Sequence, residues 1–167
     1  MARRQNRSRS SAGIIDLFSI VKYFCLWILF ALISFGVKTV VLGAINLSPT
    51  KQCGNGVITL LEVHNTGAAF NLFSSHPEMI ITSSFLAVAA LTFIVLIASA
   101  RLSQATISAM SFLSAGITMN MFERINQGYV IDYIQCNPLT NFPVFNVPDI
   151  MIVVGAVGLI FSILFKR

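Results

Sequence analysis

The stretch LSQATISAMSFLSAGITMNMFER, residues 102–124, decides the fold. It holds no charged side chain until Glu123 and Arg124 arrive together at its end. A bilayer's hydrocarbon core is crossed by about 20 consecutive apolar residues in a helix, so the stretch predicts a membrane span over about 102–122. Asn120, Glu123 and Arg124 follow the helical spacing i, i+3 and i+4, which places them on one face. An ionisable group at membrane depth is costly and is a functional candidate by default.

The composition of the whole chain also indicates a membrane protein. Of its 167 residues, 56% are hydrophobic and 10% are charged, and the mean hydropathy is +0.81. A soluble domain has about 25% charged residues. The net charge of +5 comes mainly from an arginine-rich N-terminus and the final Lys166 and Arg167. Such charges suit membrane orientation and do not imply nucleic acid binding. The opening MARRQNRSRSS lacks a signal-peptide pattern, so we expect the first apolar segment to be retained.

Four apolar segments are long enough to span a bilayer. They cover about 23–47, 79–100, 102–122 and 147–165. The lysine and arginine bias places both termini in the cytoplasm. We therefore predict an all-α membrane protein with four transmembrane helices, N-in and C-in, forming a single domain over 20–167. Residues 1–19 are expected to be a disordered basic cytoplasmic segment. Two stretches between the spans, VITLLEVHN (57–65) and GYVIDYI (128–134), predict a small extracytoplasmic β-rich surface segment.

Polar residues gather at the predicted outer boundary in three clusters. These are VHNTGAAFN (63–71), NMFER (120–124) and FPVFNVPDI (142–150). Taken separately, the clusters are compatible with a turn, an interfacial Glu-Arg pair and a helix start capped by Asn146. Taken together, they place Glu123 and Asp149 at one depth. Two carboxylates in a partly dry site share a proton. One then takes a proton from water while the other polarises a carbonyl.

The three clusters, in this order, resemble the lipoprotein signal peptidases (signal peptidase II), aspartic proteases of the bacterial inner membrane. The family's NxGAAF block matches residues 65–70 completely, and its GN..DR block is matched in part by residues 119–124. Its GYVxDF block is similar to residues 128–133, and its FPxFNxAD block is similar to residues 142–149. The order of the blocks and the four spans agree with the family.

The resemblance implies an activity, a site and a location. Such enzymes cleave diacylglyceryl-modified prolipoproteins just before the lipidated cysteine. Carried over by position, the catalytic pair is Glu123 and Asp149. The supporting residues are Asn65, Asn120, Arg124 and Asn146. We expect no metal or organic cofactor, no nucleic acid partner, contact with membrane lipids and a monomeric state. The expected location is the bacterial inner membrane, with a multi-pass chain and the active site at the extracytoplasmic face.

Several positions depart from the family pattern. Glu123 stands where the family has its first catalytic Asp, Met119 replaces a glycine, and Pro148 replaces an alanine. The family's DQxTK block survives only as Lys38, with Ser34 where the aspartate is expected. These departures motivate a competing hypothesis, a catalytically impaired relative that binds signal-peptide helices without cleaving them. An unrelated four-helix membrane protein, such as a transporter subunit, is a further alternative.

Other residue assignments stay open from the sequence. Asp132, in GYVIDYI, is the main rival for the first carboxylate of the pair, although its position favours a surface strand or turn. His64 and His76 are weaker alternatives as bases. A disulfide between Cys53 and Cys136 is compatible with two outward-facing segments, and nothing in the spacing requires it.

Overall fold

The computed structural model describes residues 15–48, 53–54, 56–67, 76–138 and 142–165. Its elements, in chain order, are α1 (Leu17–Leu47), β1 (Cys53–Gly54), β2 (Ile58–Asn65), α2 (Pro77–Ala98), α3 (Gln104–Gln127), β3 (Val130–Cys136) and α4 (Val147–Leu164). A short 3-10 turn, Ser99–Arg101, joins α2 to α3. All four helices are long and apolar enough to cross a membrane. The predicted fold of four membrane helices with a small sheet is therefore confirmed, while the N-in orientation stays a prediction.

Two helices extend further than predicted, α1 at its start and α3 at its end. The first begins at Leu17 rather than near residue 23, because Asp16 accepts a hydrogen bond from the Phe18 N–H at 3.2 Å. The Ser19 hydroxyl donates to the same carboxylate at 2.6 Å and lowers the pKa of Asp16. The third helix continues beyond residue 122 to Gln127, and Gly128 ends it in the left-handed conformation with φ of 83°.

The third helix is the centre of the bundle and packs against the other three. This position explains its polar composition, because its hydroxyls face protein rather than lipid. Tyr23 on α1 is fully buried, and its hydroxyl lies 3.1 Å from the Thr92 hydroxyl on α2 and 2.8 Å from the Ser114 hydroxyl on α3. One buried group thus links three helices, in an environment where water is absent.

Two glycines allow α3 and α4 to cross closely. A Cβ atom added at Gly116 would lie 2.5 Å from the Pro148 carbonyl oxygen, and one added at Gly155 would lie 2.7 Å from the Leu113 nitrogen. Small residues at such crossings let helix backbones approach, which favours association in lipid. The Gly116 contact lies beside the first turn of α4, so it also sets the position of the residues at that helix start.

The strands form an antiparallel sheet in the order β1-β2-β3. Asn65 pairs with Val130 and Val63 pairs with Asp132, with a register irregularity between Leu60 and Val63. The prediction of strands in both surface segments is confirmed. The Cys136 thiol is free, whereas the Cys53 side chain, and with it the suggested disulfide, lies outside the described residues.

Candidate active site

A cavity of about 690 Å³ opens at the end of the bundle where α3 ends and α4 begins. Its apolar walls come from α2, α3, α4 and the segment 142–145 that precedes α4. The polar side chains among its lining residues come from five elements, and they are Asn65, Ser84, Asn120, Arg124, Asp132 and Asp149. The structure therefore brings together five of the residues singled out in the sequence, in one largely apolar space.

The first turn of α4 holds the carboxylate of Asp149 in a defined direction. Asn146 caps the helix: its Oδ1 accepts from the Asp149 N–H at 2.8 Å, and Asp149 Oδ2 accepts from the Asn146 N–H at 3.0 Å. This reciprocal arrangement is a capping box. The other oxygen, Asp149 Oδ1, accepts from the Asn120 side-chain amide at 2.8 Å. Both oxygens of Asp149 are thus hydrogen-bonded, and the predicted helix start with Asn146 as its N-cap is confirmed.

The second carboxylate of the cavity belongs to Asp132 on β3, which is buried. Its Oδ2 accepts from the Asn65 side-chain amide at 2.9 Å, and its Oδ1 accepts from that of Asn146 at 3.0 Å. Burial raises the pKa of Asp132 to about 6; the Asn65 hydrogen bond opposes this rise, and the nearby charge of Asp149 adds to it. A carboxyl group with such a pKa exchanges a proton readily near neutral pH.

Asn146 connects the two aspartates directly. Its Oδ1 and main-chain N–H serve Asp149, while its Nδ2 donates to Asp132 and also to Asn120 Oδ1 at 3.1 Å. Because Asn120 donates in turn to Asp149, the two asparagines and two aspartates form a closed hydrogen-bonded group. Asn146 is almost fully buried, so its amide has few other hydrogen-bond partners, and the group keeps one arrangement.

Arg124 lines the cavity and links two of the chain segments around it. Its Nη2 donates to the Gly67 carbonyl, just after the end of β2, and its Nη1 donates to the Asn120 carbonyl at 3.4 Å. Arg124 is buried and lies within electrostatic reach of both Asp149 and Asp132. It therefore supplies a positive charge beside the two aspartates, and it connects the end of β2 to α3.

Glu123 has different contacts from those predicted. Its Oε1 forms an ion pair with Lys38 of α1 at 2.8 Å, and its Oε2 accepts from the Ile131 N–H at 2.9 Å. Among the described lining residues of the cavity, Asp132 and Asp149 are present and Glu123 is absent. The pairing of Glu123 with Asp149 therefore stays a prediction, and the carboxylate that shares a hydrogen-bonded group with Asp149 is that of Asp132.

The reason for this difference lies in the path of the chain after α3. The sequence predicts Glu123 in the pair because its depth matches that of Asp149 and because it occupies the family's Asp position. The helix instead continues past Glu123, and β3 returns along it. The strand alternation in GYVIDYI was the signal for Asp132, because Ile131 and Tyr133 pack in one apolar cluster and Asp132 faces the opposite side.

The two histidines considered as bases lie elsewhere on the surface. His64 is exposed, lies 2.8 Å from Glu62 and stacks on Tyr129. His76 is exposed beside Glu78 at 3.4 Å. Neither belongs to the described lining of the cavity.

Comparisons with known proteins agree with this architecture. The sequence model of the Signal peptidase (SPase) II family matches residues 15–165. The chain belongs to the signal peptidase II family. A lipoprotein signal peptidase of Dehalococcoides mccartyi is 36% identical over 121 residues, which cover 70% of this chain and 74% of the relative. A lipoprotein signal peptidase of Enterococcus faecalis is 34% identical over 114 residues, covering 68% and 69%.

Solved structures support the same fold for this signal peptidase II family member. A bacterial membrane enzyme structure determined at 2.3 Å resolution by the in meso method has a TM-score of 0.71 and 21% identity, covering 88% of this chain and 89% of its own. A second, at 1.9 Å resolution, has a TM-score of 0.72 and 18% identity, covering 93% and 99%. With its four candidate spans, the chain fits a multi-pass bacterial membrane protein.

Proposed function

We propose that this protein is an aspartic endopeptidase that removes signal peptides from diacylglyceryl-modified prolipoproteins, with Asp132 and Asp149 as the reacting pair. The observation that carries the proposal is the closed group in which Asn146 and Asn120 join these two carboxylates at one cavity. Family membership supports the substrate class, since the named relatives are lipoprotein signal peptidases.

The two carboxylates divide the work of peptide hydrolysis between them. Two neighbouring acids in a partly dry site do not ionise together, so the pair holds one proton over a working pH range. The ionised aspartate takes a proton from water as the water attacks the scissile carbonyl carbon. The protonated aspartate donates to the carbonyl oxygen and stabilises the charge that develops there. Collapse of the tetrahedral intermediate breaks the C–N bond, and the leaving nitrogen receives a proton from the pair.

The cavity walls suit a substrate that is itself a membrane segment. Ile80, Ile117, Ile152 and Val153 line the space below the polar group, so apolar side chains of a signal-peptide helix find apolar contacts there. The polar group lies at the helix ends, where a helical substrate leaves the hydrocarbon and its peptide bonds become reachable. We place this site at the extracytoplasmic face of the bacterial inner membrane, in accordance with the predicted charge bias.

The test is cleavage of a diacylglyceryl-modified prolipoprotein by the purified full chain in detergent, followed by the appearance of the shorter product. We expect wild type to cleave, and Asp132→Asn and Asp149→Asn each to lose at least about 1,000-fold in kcat, as expected for loss of a reacting group. Glu78→Gln is the matched control, because Glu78 is an exposed acid at the start of α2. Absence of wild-type cleavage would refute the activity, and full activity of Asp132→Asn would refute the pair.

The competing hypothesis, a relative that binds signal-peptide helices without cleavage, rests on Ser34 and Glu123. In the structure Glu123 lies at an ion pair with Lys38 rather than at the cavity lining, so its replacement of an aspartate leaves both cavity aspartates in place. Stable binding of the prolipoprotein without product is the result that would favour this alternative.

A further inference from the structure

We propose that Glu123, held by Lys38, is a positioning residue that fixes Asp132 through the Ile131 N–H. The proposal rests on the proposed function, because it assigns Glu123 a task for the same reaction. It also gives the Glu-for-Asp replacement a structural meaning. The carboxylate of Glu123 bridges α1 and β3, with Lys38 on one oxygen and the Ile131 N–H on the other.

The main-chain geometry of β3 explains why Ile131 needs this partner. Successive N–H groups of a strand point to opposite edges, so Ile131 and Tyr133 direct theirs to the same edge. Tyr133 donates to the Phe145 carbonyl there at 3.0 Å, and because the next N–H, that of Ile134, donates to the same carbonyl at 2.8 Å, the regular alternation ends at Tyr133. Ile131, two residues earlier, donates instead to Glu123 Oε2 at 2.9 Å. A buried N–H without an acceptor is costly. Phe145 pairs only with the end of β3, so Glu123 supplies the acceptor for the Ile131 N–H on the same edge of the strand.

The peptide held in this way directly precedes Asp132. Gln127 donates to Glu123 Oε2 at 3.3 Å and to the Tyr129 carbonyl at 3.2 Å, so the same contacts also close the turn between α3 and β3. The turn is short, because Gly128 ends α3 and β3 starts at Val130. A shift of the Ile131 peptide would therefore move the Asp132 carboxylate relative to Asn65 and Asn146. A misplacement of 1 Å in a catalytic group can cost about 100-fold in rate.

Lys38 orients the positioning carboxylate through an ion pair at 2.8 Å. The side chains of Glu123 and Lys38 are only 7% and 17% exposed, so the pair is largely removed from solvent. Removal of one member of such a pair leaves an uncompensated charge and is destabilising, whereas removal of both charges is better tolerated. The design of the test follows from this asymmetry, because single variants confuse loss of position with loss of folding.

Three variants separate the two effects. Glu123→Leu removes the acceptor and the charge. The double variant Lys38→Met with Glu123→Gln removes both charges and keeps an amide oxygen that accepts from the Ile131 N–H. The exchange Lys38→Glu with Glu123→Lys restores an ion pair and offers no acceptor to Ile131. Folded protein is quantified for each, and kcat and KM for prolipoprotein cleavage are measured on that folded fraction.

We expect Glu123→Leu and the charge exchange to lower kcat about 100-fold, with KM changed less than about twofold because neither residue lines the cavity. The Met/Gln double variant is expected to stay within about tenfold of wild-type kcat. Amide hydrogen exchange at Ile131 should accelerate in Glu123→Leu and in the charge exchange, and it should stay slow in the Met/Gln double variant. Wild-type kcat in Glu123→Leu, or recovery of kcat by the charge exchange, would overturn the proposal.

Two further outcomes are distinguishable. If the Met/Gln double variant is as inactive as Asp149→Asn while Asp132→Asn retains activity, Glu123 is itself a reacting carboxylate and the positioning role is refuted. If wild type cleaves no prolipoprotein, the proposed function fails, and exchange at Ile131 still decides the positioning contact because it needs no substrate. Unchanged exchange in Glu123→Leu would then overturn it.

Discussion

Asn146 is the residue whose replacement separates folding from catalysis most cleanly. Its Oδ1 serves the helix, accepting from the Asp149 N–H, while its Nδ2 serves the reacting group, donating to Asp132 and Asn120. Serine is as good as asparagine at a helix N-cap, whereas alanine loses the cap. Serine also has no atom at the position of Nδ2. Asn146→Ser therefore keeps the first function and loses the second, and Asn146→Ala loses both.

The magnitudes follow from these contacts. Hydrogen bonds to charged groups contribute about 1.5–3 kcal/mol, and about 1.4 kcal/mol corresponds to a tenfold change in rate. Loss of the donation to Asp132 therefore predicts a fall in kcat of about 10- to 100-fold for both variants. Loss of the cap in Asn146→Ala lowers the free energy of unfolding by about 1 kcal/mol more than in Asn146→Ser.

The assay combines two measurements on the same detergent-purified samples. Thermal unfolding reports the stability of each variant, and cleavage of a diacylglyceryl-modified prolipoprotein reports kcat per folded molecule. We expect Asn146→Ser to be less destabilised than Asn146→Ala, because it keeps the cap, and to be as slow. Wild-type kcat in Asn146→Ser would refute the bridging role of Asn146, and so would a loss of activity that only follows the loss of folded protein in both variants.

Three further predictions concern other parts of the molecule. Because the folded-state pKa of Asp132 is raised from 3.8 to about 6, its contribution to stability is present below pH 3.8 and is lost as pH rises through about 6; thermal unfolding of wild type should show this loss, and Asp132→Asn should lack it. Gly155→Ala should separate α3 from α4 and lower kcat about 10-fold or more, whereas Gly158→Ala, whose Cβ would meet its nearest atom at 3.4 Å, should stay near wild type in the cleavage assay. Tyr23→Phe leaves the hydroxyls of Thr92 and Ser114 without this partner, and it should lower the free energy of unfolding by about 1–2 kcal/mol, measured by denaturant titration, without changing KM.

Much of the fold follows from the length of the apolar segments. Spans of that length have few alternatives in lipid, because every backbone polar group must be satisfied within the segment. The helix ends are harder to predict, because the polar side chains there make contacts that the length of an apolar segment does not show. Asp16 extends α1 backwards by capping it, and Glu123 stays inside α3 because Lys38 compensates its charge.

The sequence indicates the parts of the candidate site, whereas it leaves the partner of Asp149 open between Glu123 and Asp132. The structure brings together four polar residues that the sequence places at segment ends: Asn65, Asn120, Asn146 and Asp149. Each of them is hydrogen-bonded to another of the four or to Asp132. The choice between Glu123 and Asp132 depends on which way β3 turns after Gly128. The alternation in GYVIDYI indicates which face Asp132 takes, but the direction of the strand is set by tertiary contacts, namely the pairing with β2 and the Ile131 N–H bond.

The polar composition of α3 has a consequence for how this protein is made. Two of its hydroxyls are hydrogen-bonded to neighbouring helices: Thr106 donates to Ser162 of α4, and Ser114 lies 2.8 Å from the Tyr23 hydroxyl of α1. When α3 is newly synthesised, Tyr23 of α1 is already present, whereas Ser162 becomes available only once α4 is made. We expect α3 to leave the translocon stably only once α4 accompanies it. Insertion then ends with α3 and α4, the two helices that contribute Asn120 and Asp149 to the cavity. Insertion of α3 with and without α4, followed by glycosylation mapping, measures this dependence.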